Sequence, residues 1–360
     1  MIANQHRSRF VLIALAGISL LMALWAGTLR LGWPLPAPGE SFVVNHGPLM
    51  IIGFLGVLIG LERAVALGRS WPYGVPALSG AAALLVLTEI PVLFPAMTAI
   101  VSSLLLVGVF ISLHRQYPSE HFIVMGMSAF VWMVGNIVWL MGSPLFAVAP
   151  WWIGFLVLMI AGERLELSRL RRPSATVRGA FYASASIIMI GLGVSLADFH
   201  SGIRLSGVGL LAVALWLLRY DLVWHTVRQA GLPRYMAVCL IAGYVWLATG
   251  GIFWTLFAPF FSAGPRYDAM LHSILVGFVF SMIFAHAPII LPSVTGFAMP
   301  FQQLFYGHLV LLHISLLLRV GGDLAGSRAA QQWGGLINVL AILLFLANNA
   351  LAVKRGEGRG

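Results

Sequence analysis

A chain of 360 residues that is 60% hydrophobic and 9% charged, with a mean hydropathy of +0.95, is too apolar to be wetted on all sides. Water-soluble domains carry about 45–50% apolar and about 25% charged residues, so a soluble globular domain is excluded. The net charge of +10 comes from 20 arginines and one lysine against 11 acids, an excess that in a multi-pass protein marks cytoplasmic loops rather than a nucleic-acid surface.

A membrane helix uses about 20 apolar residues. Polar breaks divide the chain into twelve such spans, near 10–31, 43–64, 73–92, 94–113, 122–141, 148–168, 177–197, 203–222, 235–258, 268–291, 301–320 and 332–352. The predicted fold is all-α and polytopic, a single transmembrane domain over 1–360 with about 12 helices. The first span follows Arg7 and Arg9 as a signal peptide would, but it runs long and lacks a small-residue cleavage site, so it reads as an uncleaved helix. One cysteine, Cys239, excludes an internal disulfide framework and any CxxC motif. No Walker, Rossmann or zincin pattern occurs.

The basic residues set the expected orientation. Arg7, Arg9, Arg63, Arg69, Arg115, the Arg164–Arg178 group, Arg219, Arg228, Arg234 and the tail from Lys354 fall on one side, 16 of the 21 Lys and Arg. Arg30, Arg204, Arg266, Arg319 and Arg328 fall opposite. This predicts an inner-membrane protein with both termini cytoplasmic.

Span two contains GFLGVLIGLER (53–63) and span six GFLVLMIAGER (154–164), identical at six of eleven positions. Span ten contains GFVFSMIFAHA (277–287) in the same frame, and FVWMVGNIVW of span five echoes YVWLATGGIFW of span nine. A shared four-helix interval predicts three parallel units, approximately 1–118, 119–232 and 233–360, a pseudo-threefold repeat about an axis along the membrane normal. Chance similarity among apolar helices is the alternative. Glu62–Arg63 and Glu163–Arg164 close the matched segments, either as interfacial anchors with a snorkelling arginine or as carboxylates of a proton path.

Histidines carry the functional signal. His6, His114, His121, His200 and His225 fall at helix ends and are expected to be solvated. His46, His272, His286, His308 and His313 fall inside spans, where ionisable residues are costly and default to a functional reading; an interhelical hydrogen bond is the alternative for each. Depth sorts them at about 1.5 Å per residue. His46 and His272 lie just inside the outer ends of spans two and ten, and His286 and His308 share a deeper level. His313 sits near mid-membrane. Two histidines from different helices can clamp a haem, and heptad spacing would put His46, Gly53 and Gly60 on one smooth stripe. Arg30, Arg266, Arg319 and Arg328 could meet its propionates. Pro288 and Pro292 are expected to break the end of span ten. Met125, Met127, Met133 and Met141 have irregular spacing, as core filling does.

The twelve-helix layout with outer-level histidines on helices two and ten resembles the catalytic subunit of haem–copper oxidases. More closely, NHGPLMIIGFLGVLIG and LHSILVGFVFSMIFAHAPIILP resemble the NnrS family of haem- and copper-binding membrane proteins associated with nitric oxide metabolism. The resemblance implies one haem b held by His46 and His272. It implies a small ligand such as nitric oxide, or electron transfer, and leaves a second haem or copper to be built from His286, His308 and His313. The oxidase copper site does not carry over, because spans six and seven contain no histidine, and the crosslinked tyrosine has no counterpart; an oxygen-reducing oxidase is not expected. The rival class is a secondary transporter using His286, His308, His313 and the Glu62 and Glu163 carboxylates. A quinol-linked reductase is a third. The expected partner throughout is the lipid bilayer, not nucleic acid.

Overall fold

The computed structural model describes residues 2–39, 41–88 and 90–357, and every regular element among them is helical. Eleven of these helices are long and apolar enough to cross a membrane: α1 (Ser8–Arg30), α2 (His46–Leu67), α4 (Leu93–Gln116), α5 (Glu120–Leu140), α6 (Leu145–Ser168), α7 (Ala175–Val194), α8 (Phe199–Tyr220), α9 (Leu232–Phe260), α10 (Pro265–Thr295), α11 (Phe305–Ala325) and α12 (Arg328–Gly356). Between α2 and α4 lies α3 (Trp71–Val86), apolar but shorter. The protein is therefore a polytopic all-α membrane protein. Each expected span has its helix, and the third is cut short: the turn at Leu87–Thr88, with Pro91 behind it, ends the helix before the apolar run stops.

Two expectations about helix continuity fail in opposite directions. The helix of α10 does not break at its prolines but carries both Pro288 and Pro292 inside it to Thr295. Proline forfeits only its own hydrogen bond and crowds one preceding carbonyl, a local cost that membrane helices absorb. Conversely, α2 and α10 are not uniformly α-helical. Leu49–Gly56 in α2 and Ser273–Phe280 in α10 are wound as π-helix, eight residues each. The Gly53–Phe54 and Gly277–Phe278 pairs sit at the same position within these stretches, so the repeat frame read from sequence aligns the two π segments end to end. π-Helix is rare and concentrates at functional sites.

The chain divides into two compact units, Met1–Phe155 with Ser293–Gly296, and Leu156–Pro292 with Phe297–Gly360. The division falls inside α6 rather than at a boundary of the four-helix repeat. In the first unit the π stretch of α2 packs on α1 and α3, and α4 packs on α3 and α5. Among its buried polar groups, Ser79 pairs with Ser102 at 2.9 Å, and Asn136 donates to the Ala99 carbonyl at 3.1 Å and accepts from Trp152 Nε1 at 2.9 Å. In the second unit α7, α8 and α9 pack in sequence and α11 packs on α12. Glycines let backbones touch there. Gly207 of α8 lies against Thr255 of α9, and Gly191 of α7 against Ser206 of α8, the small-residue packing that replaces a hydrophobic driving force in lipid.

Trp132 rests on Gly56 in the first unit and Trp246 rests on Gly277 in the second. These are the tryptophans of the FVWMVGNIVW and YVWLATGGIFW echoes, each seated on a glycine of a π segment.

Candidate functional site

Hydrogen-bond partners with fixed roles decide the histidine tautomers. A backbone carbonyl only accepts, whereas arginine and tryptophan nitrogens only donate. His46 Nδ1 lies 2.7 Å from the Ala23 carbonyl, so Nδ1 carries the proton and Nε2 is the basic nitrogen. Its ring is seated over Gly27 of α1, where an added Cβ would come within 2.9 Å of it. His286 Nδ1 lies 2.7 Å from the Met282 carbonyl and has the same tautomer. His272 Nδ1 lies 2.9 Å from the Asp268 carbonyl and 3.1 Å from Asp268 Oδ1, while Arg319 Nη2 donates to Nε2 at 3.2 Å. Again Nε2 is the basic nitrogen. A ring proton given to a backbone carbonyl or carboxylate is the support that metal-ligating histidines ordinarily have.

His308 and His313 are arranged the other way. His308 is fully buried, accepts at Nδ1 from Asn348 Nδ2 at 3.0 Å and donates from Nε2 to the Tyr235 hydroxyl at 2.9 Å. Phe284, Phe305 and Phe345 enclose its ring. His313 accepts at Nδ1 from Trp246 Nε1 at 3.0 Å, and its Nε2 is buried with no hydrogen-bond partner. In both rings Nδ1 is the basic nitrogen and accepts from a side-chain donor, as the Nε2 of His272 does from Arg319. Among the described residues no three His, Cys, Asp or Glu side chains gather as a metal set. His286, His308 and His313, expected as a metal group, are thus divided between two tautomers. His46 and His272 belong to different compact units.

The stripe expected beneath His46 is occupied by protein. A Cβ at Gly53 would lie 2.6 Å from Ala83 Cβ, and one at Gly60 2.7 Å from Val75 Cγ1, both on α3. Both glycines serve the close packing of α2 on α3, the ordinary use of small residues between membrane helices.

Around His272 stands a charged cluster. Arg319 grips both Asp268 oxygens, at 2.7 and 2.8 Å. Asp323, one turn beyond Arg319 on α11, is buried and faces Asp268, Arg319 and Gln331, with no well-formed hydrogen bond to either oxygen. Close helix approach sets the position: Gly334 of α12 lies against the backbone of Arg319, and Gly322 against Gln331. Arg319 appeared in the sequence reading only as a propionate partner; its two carboxylates were missed. The signal was available, since Asp268 precedes His272 by four residues and Asp323 follows Arg319 by four, the spacing that puts side chains on one helix face.

A second cluster was also missed. Arg164, Asp221 and Tyr244 are buried together. Arg164 pairs with both Asp221 oxygens, and Tyr244 and the Val223 amide donate to the same carboxylate. Arg164 therefore does not snorkel, and departs from its repeat partner Arg63, which pairs with neighbouring Glu62 at 2.9 Å.

Of the histidines expected to be solvated, His200 and His225 are exposed and His114 is half-buried. His121 is buried at 3% exposure: the short turn into α5 tucks it inward, with Nδ1 2.6 Å from Ser119 Oγ and its ring against Phe122. The side chain of His6 lies outside the described residues.

The chain belongs to the family described as Domain of unknown function (DUF8744), which matches residues 9–354. No curated protein matches it.

Proposed function

We propose that this member of the DUF8744 family is a haem-binding protein of the bacterial inner membrane, both termini cytoplasmic, that binds or turns over a small ligand such as nitric oxide or passes electrons. The observation that carries the reading is shared by His46 and His272. Each adjoins one of the two frame-matched π segments, and each gives its Nδ1 proton to a backbone carbonyl, leaving Nε2 as the basic nitrogen. The residues fit haem in tautomer. His272 additionally accepts from Arg319 at Nε2, so its use as an iron ligand requires that Arg319 turn to another acceptor, for which a propionate is suited. Haem held there would supply an iron centre for electron transfer or for a diatomic ligand. The chain's own contributions are the Ala23 and Asp268 carbonyls that orient the two rings and the Gly27 opening that admits His46. His286, with the same tautomer, is the inner histidine suited to a second haem or a copper.

The test is a visible spectrum of protein purified from haem-replete cells, oxidised and dithionite-reduced. Ligation by His46 and His272 would give a low-spin b-type spectrum, since both iron donors would be strong imidazole nitrogens. His46→Ala and His272→Ala should each turn it high-spin or lose the haem, with His200→Ala as the silent control. A folded, monodisperse protein with no Soret band sinks the reading.

One observation favours the second reading, a secondary transporter. The Asp268–His272–Arg319–Asp323 cluster holds two carboxyls against one arginine inside apolar helices, the kind of intramembrane titratable site that couples to ions or protons. Proteoliposomes carrying an internal pH dye would then show substrate-driven proton movement that Asp323→Asn abolishes, in a protein without a Soret band.

A further inference from the structure

The second unit contains a cavity of about 400 Å³ at the end where α9 and α11 begin. Gly231, Arg234 and Val238 line it from α9 and the residue before it, and Phe301, Gln303 and Tyr306 from the α10–α11 connection and the start of α11. Tyr235 underlies this end, in ring contact with both Phe301 and Tyr306. The volume is in the lower part of the range of small-molecule sites, roughly 300–1,000 Å³.

Its chemistry has one sign. The lining includes a guanidinium and no carboxylate. Arg234, which lines the cavity, donates from Nε to the Val227 carbonyl at 3.2 Å, and this bond anchors the guanidinium there. Tyr306 lines the cavity together with Arg234, and the Gln303 amide supplies further hydrogen-bonding capacity. Val238 and Phe301 add apolar surface to the same cavity. The cavity lies where two membrane-crossing helices, α9 and α11, begin, and such helix ends meet the polar headgroup region of a bilayer. Guanidinium recognition of phosphate is charge-assisted and takes two oxygens at once.

We propose that this cavity binds a net-anionic phosphate carried on an apolar group: the oxyanion on Arg234 with Tyr306 and Gln303, the apolar part against Val238 and Phe301. A phospholipid headgroup and a soluble phosphate share this chemistry, and the experiment separates them.

Full-length protein in mild detergent is titrated with phosphatidylglycerol and, separately, phosphatidylcholine, and retained lipid is counted by native mass spectrometry. The expected result is one retained phosphatidylglycerol, at least tenfold preferred over phosphatidylcholine. Arg234→Gln, at an exposed position, should weaken retention about tenfold, and Val238→Trp, which fills the cavity, should do the same. Displacement by millimolar inorganic phosphate assigns the site to a soluble phosphate; no displacement assigns it to lipid. Equal retention of the two lipids, or unchanged retention in folded Arg234→Gln protein, overturns the proposal. None of these outcomes depends on haem.

Discussion

The guanidinium of Arg164 holds the Asp221 carboxylate in two parallel hydrogen bonds, 2.7 and 2.8 Å long, with neither side chain above 5% exposure. Such a pair contributes little net stability, because desolvation cancels much of the attraction, but removing one partner leaves a buried charge. Asp221→Asn should therefore destabilise the protein by about 3–5 kcal/mol. The double variant Arg164→Met/Asp221→Leu should cost less than Asp221→Asn alone. Denaturant unfolding in detergent compares them; a double variant worse than the single one would contradict the argument.

Asn136 offers a contrast in magnitude. It joins α4, α5 and α6 through the Ala99 carbonyl, Ser103 and Trp152. Interhelical hydrogen bonds in membranes average about 0.6 kcal/mol and reach about 1.7. Asn136→Leu should lower stability by about 1 kcal/mol, several-fold less than Asp221→Asn, in the same unfolding assay.

Arg319 serves Asp268 and His272 at once, which needs the planar fork of arginine. Lysine carries the charge without the fork. Arg319→Lys should lose most of the coupling to Asp268, and a double-mutant cycle of Arg319→Lys with Asp268→Asn should return an interaction of about 0.5–3 kcal/mol. A coupling near zero would mean that the two residues act independently.

Asp198 begins α8 and accepts from the Ser201 hydroxyl and amide, which hold its carboxyl below the ordinary aspartate range. The folded-state value is depressed, so the cap's contribution is present above the unfolded value of about 3.9 and is lost as pH falls through the folded one. Hydrogen exchange at the Ser201 amide, corrected for intrinsic rates, should lose protection only at acid pH, and Asp198→Asn should remove that pH dependence while keeping the cap.

Helix number and type were legible because every crossing must bury its own backbone polar groups, and apolar runs report that demand directly. The third span was legible only in part: Pro91 lies inside the apolar run, just past the turn that ends α3. The prolines of α10 misled in the other direction, since neighbouring helices decide whether such a residue interrupts a span. The five membrane histidines were found, but their division into two tautomers was not, because it depends on donors and acceptors from distant sequence: Ala23, Asn348 and Trp246. Asp268 and Asp323 were legible by spacing and passed over, since attention to histidine alone omits the acids that share its face. The π segments have no sequence signature of their own, although the Gly-Phe match marks the frame in which both occur.

Cys239, the sole thiol of the chain, is buried on α9 beside the Tyr235 hydroxyl. A maleimide reaches such a sulfur only when the surrounding helices part, so its labelling rate is a clock for that opening. With reclosing faster than alkylation, the ratio of the observed rate to that of an unhindered thiol gives the open fraction and hence a local free energy. The chain thus carries a native reporter for breathing at the end of α9, readable by mass without any engineered probe.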